Sequence, residues 1–307
     1  MPETIRATPA ARAEWRRRRA ALFRSVLAPP PRLTVSEWAD RYRYLSREAS
    51  AEPGKWSTDR APYQRGVMDA FSDPMVEDVV LMWASQTGKT ECINNVIAYY
   101  IDQDPAPILV LQPTLEMAEA WSKDRLAPML RDTPRLRGKV RDPRSRDSGN
   151  TVRHKVFPGG HLTAAGANSP ASLAARPIRV VLADEVDRYP PSAGAEGDPV
   201  ALAFRRTATF WNRKLVRTST PTLKGFSAIE AAFLEPDRRR HYYHVPCPEC
   251  GHYQPLRWAN LKWEDGDPET AAYACEACGV LIGEENKLEM LRRGQWVAEP
   301  TGGPRKG

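Results

Sequence analysis

The sequence predicts an α/β fold: a mostly parallel sheet covered by helices, with a small cysteine-bound unit towards the C-terminal end. Three observations carry that expectation. Strand-like apolar runs at 79–82, 108–112, 180–183 and 214–218 alternate with helix-like segments at 91–101, 115–130 and 200–211. The first run, Val79-Val80-Leu81-Met82, opens into Trp83-Ala84-Ser85-Gln86-Thr87-Gly88-Lys89-Thr90 and then into a segment with Ile93, Val96, Ile97 and Tyr100 at helical spacing. The third run, from Ile178 to Ala183, ends on two adjacent carboxylates, Asp184 and Glu185.

Strand, loop and helix in that order make a phosphate site. The backbone N–H groups of Ser85, Gln86, Thr87 and Gly88 and the helix N-terminus face an anion, Lys89 reaches the outer phosphates, and the Thr90 hydroxyl serves Mg²⁺. One position departs from the usual pattern: Trp83 stands where a glycine is expected, and it cannot adopt a glycine-only conformation without strain. The bland alternative is a strand-to-helix turn with an exposed lysine. Asp184 and Glu185 weigh against it, because a parallel sheet binds ligands at the C-terminal ends of its strands. Phosphoryl transfer to water needs one acid for the metal and another group for the attacking water, so Asp184 is assigned the first task and Glu185 the second. A solvated acidic turn would not explain why the pair caps a buried-type run. Together the motifs predict a nucleotide hydrolase using ATP and Mg²⁺.

With 307 residues and 41% hydrophobic content, the chain suffices for one large α/β core and a small accessory unit. No stretch has the length of a membrane span and no signal-peptide pattern opens it, so the expectation is a cytoplasmic protein with no membrane partner. The net charge is +7, and residues 1–50 hold eleven arginines against five acids. A basic arm on a near-neutral body, with Arg16-Arg17-Arg18-Arg19 at its centre, points to a polyanion or an acidic protein; a solvated helix face is the alternative. Pro29-Pro30-Pro31 stiffens the join to the next segment, in which Ser36 reads as the N-cap of a short helix carrying Trp38 and Tyr42.

Cys247-Pro248-Glu249-Cys250-Gly251 and Cys275-Glu276-Ala277-Cys278-Gly279 are two knuckles separated by 24 residues. Four soft ligands in two tight turns suit a structural, closed Zn²⁺ site. Redox-active or simply buried cysteines are the alternative. His244 and His252 stand nearby as substitute ligands, and Cys92 reads as a buried thiol.

Taken in order, Ala61-Pro62-Tyr63-Gln64-Arg65, the Ser85 to Glu91 loop, Gln112-Pro113-Thr114, Asn168-Ser169-Pro170-Ala171-Ser172-Leu173, Ala183-Asp184-Glu185-Val186-Asp187, Ser219-Thr220-Pro221-Thr222 and the first cysteine knuckle resemble the large terminase subunit of tailed bacteriophages, of the lambda-like GpA family. The resemblance implies a RecA-like P-loop ATPase that drives double-stranded DNA through a portal into a procapsid, working with a terminase small subunit and as a homo-oligomer in the host cytoplasm. It also implies that Tyr63 and Gln64 recognise adenine, that Ser219 and Thr220 couple γ-phosphate loss to motion, and that an arginine finger comes from outside the loop, with Arg176, Arg179, Arg205 and Arg206 as candidates. The expected organisation is a basic arm with short helices at 1–58, the ATPase domain at 59–240, a zinc ribbon at 241–285, and a linker or the start of a nuclease domain at 286–307. The family's nuclease is expected to be missing, leaving a fragment or a split gene product. Two rivals stay open, a helicase-like ATPase and a zinc-containing DNA-binding adaptor with a degenerate loop.

Overall fold

A computed structural model describes residues 8–27, 31–140, 149–169 and 176–299. Arg6, Pro29-Pro30 and the Pro170-to-Leu173 part of one motif lie outside the described residues. The chain divides into two units, residues 1–33 and 34–307.

The first unit is helix α1 (Pro9–Leu27). It has no apolar stripe, and its described side chains are exposed. Arg18 pairs with Glu14 one turn away at 2.8 Å, and the Arg19 guanidinium lies over the Trp15 ring. The arginine cluster is thus exposed on a helix that has no apolar face.

The second unit is built on a six-stranded sheet. In chain order its strands are β3 (Asp78–Met82), β4 (Ile108–Gln112), β5 (His154–Phe157), β6 (Gly160–Gly166), β7 (Val180–Asp184) and β8 (Lys214–Ser219), the short ribbon of β1 (Tyr44–Leu45) and β2 (Gly54–Lys55) standing apart. The spatial order is β3-β8-β7-β4-β6-β5, with every pairing parallel except β5 with β6. Every residue of β4 and β7 is buried, as expected of central strands covered on both faces. The β5–β6 hairpin is absent from the sequence reading. It is short and turned by Pro158-Gly159, with Gly159 in the left-handed region at φ +83, and its buried positions include Lys155 and small residues, so no apolar run announces it.

Helix α4 (Lys89–Asp102) follows β3 and is buried along almost its whole length. Helix α2 (Val35–Tyr42) packs on it, and the Trp38 indole donates to Asp102 at 2.8 Å. The N-cap of α2 is Thr34, not Ser36: Thr34 and Glu37 form a reciprocal capping box, while the Ser36 N–H is bound by Asp69. The helix expected at 115–130 is α5 (Leu115–Trp121), a π-turn at Ser122–Leu126 and α6 (Ala127–Asp132). Pro128 supplies no N–H to a regular ladder there, which favours the wider turn. The helix expected at 200–211 is only α7 (Pro199–Arg205), and Thr207 turns its hydroxyl back onto the Phe204 carbonyl. Helix α3 (Tyr63–Ala70) precedes β3, and α8 (Ala228–Phe233) packs against it.

The C-terminal part is a small β module. Strand β9 (His241–Pro246) lies between β10 (Tyr253–Pro255) and β14 (Gln295–Ala298), and β11 (Leu261–Glu264), β12 (Asp267–Ala274) and β13 (Leu281–Ile282) form a second sheet. Its core is Val245, Cys247, Cys275, Ile282 and Met290, the last from helix α9 (Lys287–Arg292). Residues 287–298, expected in a linker or a further domain, therefore complete this module, since β14 pairs antiparallel with β9 along its length.

Candidate nucleotide site and cysteine centre

Parallel pairing fixes where the loop lies. Met82 stands opposite Ser219, and the Trp83 N–H donates to the Ser219 carbonyl, so the loop leaves the sheet beside the end of β8. The backbone turns through left-handed conformations at Gln86 (φ 61) and Gly88 (φ 84). Trp83 is not among them, so the strain expected at that position does not arise. A side chain on Gly88 would in addition meet the Gln64 amide at 2.3 Å.

Lys89, 6% exposed, turns its ammonium inward. It donates to the Trp83 carbonyl at 3.2 Å, the Ala84 carbonyl at 2.8 Å and the Thr220 hydroxyl at 2.9 Å, which uses all three of its hydrogens. The Thr87 carbonyl accepts from both the Tyr63 hydroxyl (3.2 Å) and the Gln64 amide (3.0 Å), so α3 holds the far end of the loop. Ser85 and Gln86 at the tip are exposed, and Thr90 is half-buried in the first turn of α4.

Asp184 ends β7 and is 5% exposed. Its Oδ2 accepts from the Gln112 amide at 3.2 Å, and its Oδ1 has no hydrogen-bond partner. Burial, reinforced by the charge of Glu185, pushes its pKa up to about 6 against the opposing effects of Gln112 and Lys89. A buried carboxylate oxygen left bare is what a hard divalent cation would satisfy. Glu185 itself sits in the left-handed region at φ 57, with the Arg188 guanidinium 3.8 Å from its carboxylate. A non-glycine residue held there is a local strain of the kind found at functional sites.

Ser219 and Thr220 close the same edge. The Ser219 hydroxyl accepts from the Asp187 N–H at 3.3 Å. Asp187 in turn accepts from the Thr222 N–H, the Thr222 hydroxyl and the Ile229 N–H, tying the turn after β7 to the segment after β8. These bonds hold the Asp187 pKa below the usual carboxylate range although burial opposes them.

The four cysteines converge in the C-terminal module. Cys247 and Cys278 sulfurs lie 3.9 Å apart, those of Cys250 and Cys275 3.8 Å apart, and all four within 4.8 Å of one another. A tetrahedron with Zn–S bonds of about 2.3 Å has sulfur separations of about 3.8 Å, so the cage has the size of a zinc site. His244 and His252 are not part of it; the His252 carbonyl accepts the Cys247 N–H. Cys92, fully buried, has its thiol pKa driven upwards by burial and is far from reactive.

The family described as phage terminase large subunit gpA, ATPase domain, matches residues 50–296. This chain belongs to that family. It is 32% identical over 285 residues to the terminase large subunit of Enterobacteria phage P21, and 29% identical over 287 residues to that of Escherichia phage lambda. Both alignments take in 91% of this chain and 44% of the relative, so the chain spans less than half the length of the curated relatives it matches. The Thermus phage P74-26 large terminase ATPase domain superposes over 67% of this chain and 71% of its own with a TM-score of 0.36 and 13% identity, too loosely to carry an argument.

For this terminase-family chain, the sheet edge brings together Tyr63, Gln64, the 85–90 loop, Asp184, Glu185, Ser219 and Thr220. It does not bring the four arginine candidates there. Arg179 pairs with Asp104 at the opposite, N-terminal edge, where the Arg206 carbonyl also binds Ile178; Arg205 adjoins it, and Arg176 stands beside His154 near the β5 side. Arg188 stands within ion-pair range of Glu185, and nothing in the sequence singles it out. Also missed as individuals are Gln112 and Asp187, although both stand in motifs that carry the resemblance, and the buried Arg43, which pairs with Glu91 in the first turn of α4 at 3.0 Å.

Proposed function

We propose that this chain is the motor part of a terminase large subunit, a RecA-like P-loop ATPase with a zinc ribbon, which hydrolyses ATP to move double-stranded DNA into a procapsid. One observation carries the reading: Lys89, a half-bare buried carboxylate and a hydroxyl pair converge on one edge of a parallel sheet, on three neighbouring strands. The strand order supports the RecA-like assignment, because β8 lies between the strand feeding the loop and the strand carrying the acids.

In this reading the 85–90 loop receives the phosphates, and Lys89 exchanges a loop carbonyl or Thr220 for a phosphate oxygen. Thr90 and Asp184 would hold Mg²⁺, which neutralises charge on the phosphates when bound. Glu185 orients and deprotonates the attacking water. Tyr63 and Gln64 set the loop's far end and face the base. Thr220, released as Lys89 turns to phosphate, passes the change through Ser219 and Asp187 to Thr222 and α8, which is the coupling step. The four cysteines hold a structural Zn²⁺ whose ligand set leaves no open position. The arm at 1–58 contacts DNA, the ATPase domain occupies 59–240 and the zinc module the rest; a small subunit, a portal and further copies of the chain are the proposed partners.

The test is ATP binding and phosphate release by the 307-residue chain and two variants. Lys89→Ala should lose binding, and Glu185→Gln should bind and fail to turn over. Absence of any turnover in the parent chain, with and without DNA, would favour a DNA-binding adaptor instead.

A further inference from the structure

The residue that breaks the loop pattern is the one the C-terminal module touches. Trp83 stacks on Trp296 of β14 with ring planes 5° apart and centroids at 6.3 Å, and Tyr63 meets Trp83 edge-on at 5.5 Å. The Trp296 indole N–H donates to the Tyr63 carbonyl at 2.8 Å. Tyr63 in turn donates its hydroxyl to the Thr87 carbonyl. One side chain of the module therefore holds the first residue of the loop directly and its penultimate carbonyl through one intermediary.

The site for that indole is built. Gly66 of α3 leaves the space it occupies: a side-chain carbon there would lie 2.7 Å from the Trp296 ring. On the module side, Tyr243 of β9 faces Trp296 across the strand pair, its ring at 5.3 Å, and anchors its own hydroxyl on the Leu291 carbonyl. Gly294 makes room in the same way for the Tyr243 ring, which a side chain would approach to 2.4 Å. Four residues beyond Tyr243, the chain enters the cysteine cage at Cys247.

We propose that Trp296 is a positioning residue for the phosphate loop, so that the cysteine module sets the loop's geometry from outside the ATPase core. The inference rests on the reading of that loop as the ATP site. It also explains Trp83: the position needs no glycine, and the indole there is the surface on which the module grips.

Two measurements on the full 307-residue chain test this, with Trp296→Ala, Trp296→Phe and Trp83→Gly. The first is hydrogen exchange without nucleotide. Trp296→Ala should speed exchange in the peptide covering 83–88 by about tenfold while leaving β4 and β7 unchanged, since it removes one aromatic stack on Trp83 and one hydrogen bond to Tyr63 at the start of α3, and neither reaches the central strands. The second is steady-state ATP hydrolysis, where the same variant should raise KM about tenfold with kcat within about twofold. Trp296→Phe keeps a ring and should recover most of both effects. Trp83→Gly removes the stack from the other side, should reproduce the loss, and serves if Trp296→Ala does not fold. Unchanged loop exchange, exchange that rises equally throughout the core, or a faster-exchanging loop with parental KM would each overturn the proposal. Exchange decides the clamp even where the parent chain turns over no ATP, an outcome that would sink the reading of the site and leave the clamp standing or falling on its own.

Discussion

Replacing Asp184 by Asn should abolish turnover and make the nucleotide-free, metal-free chain less sensitive to alkaline pH. The Asp184 carboxyl is 5% exposed, has one bare oxygen and is faced by Glu185 and Lys89, with the buried Tyr189 phenol also nearby. Its pKa is pushed up from 3.8 to about 6, so the folded state holds this proton more tightly than the unfolded chain does. Ionising the group therefore costs folding free energy. The cost is nearly absent at pH 4, grows as pH rises through the window between the two pKa values, and is constant above it. A gap of roughly two units corresponds to about 3 kcal/mol at pH 8, about 1.5 at pH 5 and about 0.5 at pH 4. Asn keeps the acceptor that Gln112 needs and carries no charge, but it introduces an amide donor whose burial costs about 1 to 3 kcal/mol if unpaired. That second cost does not depend on pH. The quantity to measure is therefore the change in the variant-minus-parent stability between pH 8 and pH 4, expected at about 2.5 kcal/mol in favour of Asn at the higher pH. Urea unfolding in EDTA at four pH values gives it directly. A difference that stays constant from pH 4 to pH 8 would refute the assignment of Asp184 as a buried carboxylate with one bare oxygen.

Three further outcomes are expected. Lys89→Ala leaves the Trp83 and Ala84 carbonyls and the Thr220 hydroxyl without their shared donor, and nucleotide affinity should fall at least about a hundredfold by calorimetric titration, since charge-assisted bonds to phosphate are the strong ones. Cys250→Ser or chelation should disorder residues 241–299 before the six-stranded sheet melts, and metal analysis of the parent should give about one zinc per chain; a metal-free chain with a fully protected module would count against the zinc. Replacing Arg16 to Arg19 of the solvated helix α1 with Ala should weaken duplex DNA binding uniformly across sequences and lower the salt-dependence slope by up to about 3 to 4, read by fluorescence anisotropy; an unchanged slope would remove the arm from the DNA contact.

What could be read from sequence was what a single run of residues carries. Ile108 to Gln112 and Val180 to Asp184 are buried on both faces, and a continuous apolar run reports that condition without help from the rest of the chain. The loop, the acid pair and the cysteine knuckles are likewise local patterns, each set by its own turn. The β5–β6 hairpin could not be read because its strands are short and several of their buried positions are held by Lys155 and by the small Ala164, Ala165 and Gly166, so no apolar run marks them. Thr34 and Ser36 both suit an N-cap by residue type; the Thr34-x-x-Glu37 capping box is a local pattern the sequence reading passed over, and the Asp69 carboxylate, supplied from another helix, takes the Ser36 N–H. Residues 287–298 read as a linker or the start of a further domain because the partner that makes β14 a strand lies some fifty residues earlier, in β9. Trp83 looked like a defect for the same reason, its partners being Tyr63 and Trp296.

The placement of β8 has a consequence for the chemistry that neither motif carries alone. With β8 between them, β3 and β7 stand two strand spacings apart, about 9.5 Å. Were they adjacent, the Lys89 ammonium and the Asp184 carboxylate would be within reach of each other, and an ion pair between two buried groups would lock both against any ligand. Instead Lys89 rests on neutral acceptors, two loop carbonyls and the Thr220 hydroxyl, and Asp184 rests on the neutral Gln112 amide. Neither charge is closed in an ion pair, so on the proposed reading the gap would favour a ligand that brings an anion to one side and a cation to the other. The strand that opens the gap also carries Ser219 and Thr220 into it. In the proposed cycle, a phosphate that draws Lys89 away from Thr220 would act on a strand end bonded to Asp187, and through Asp187 to Thr222 and α8. On the reading proposed above, the order of the strands would couple binding at the gap to movement beyond it.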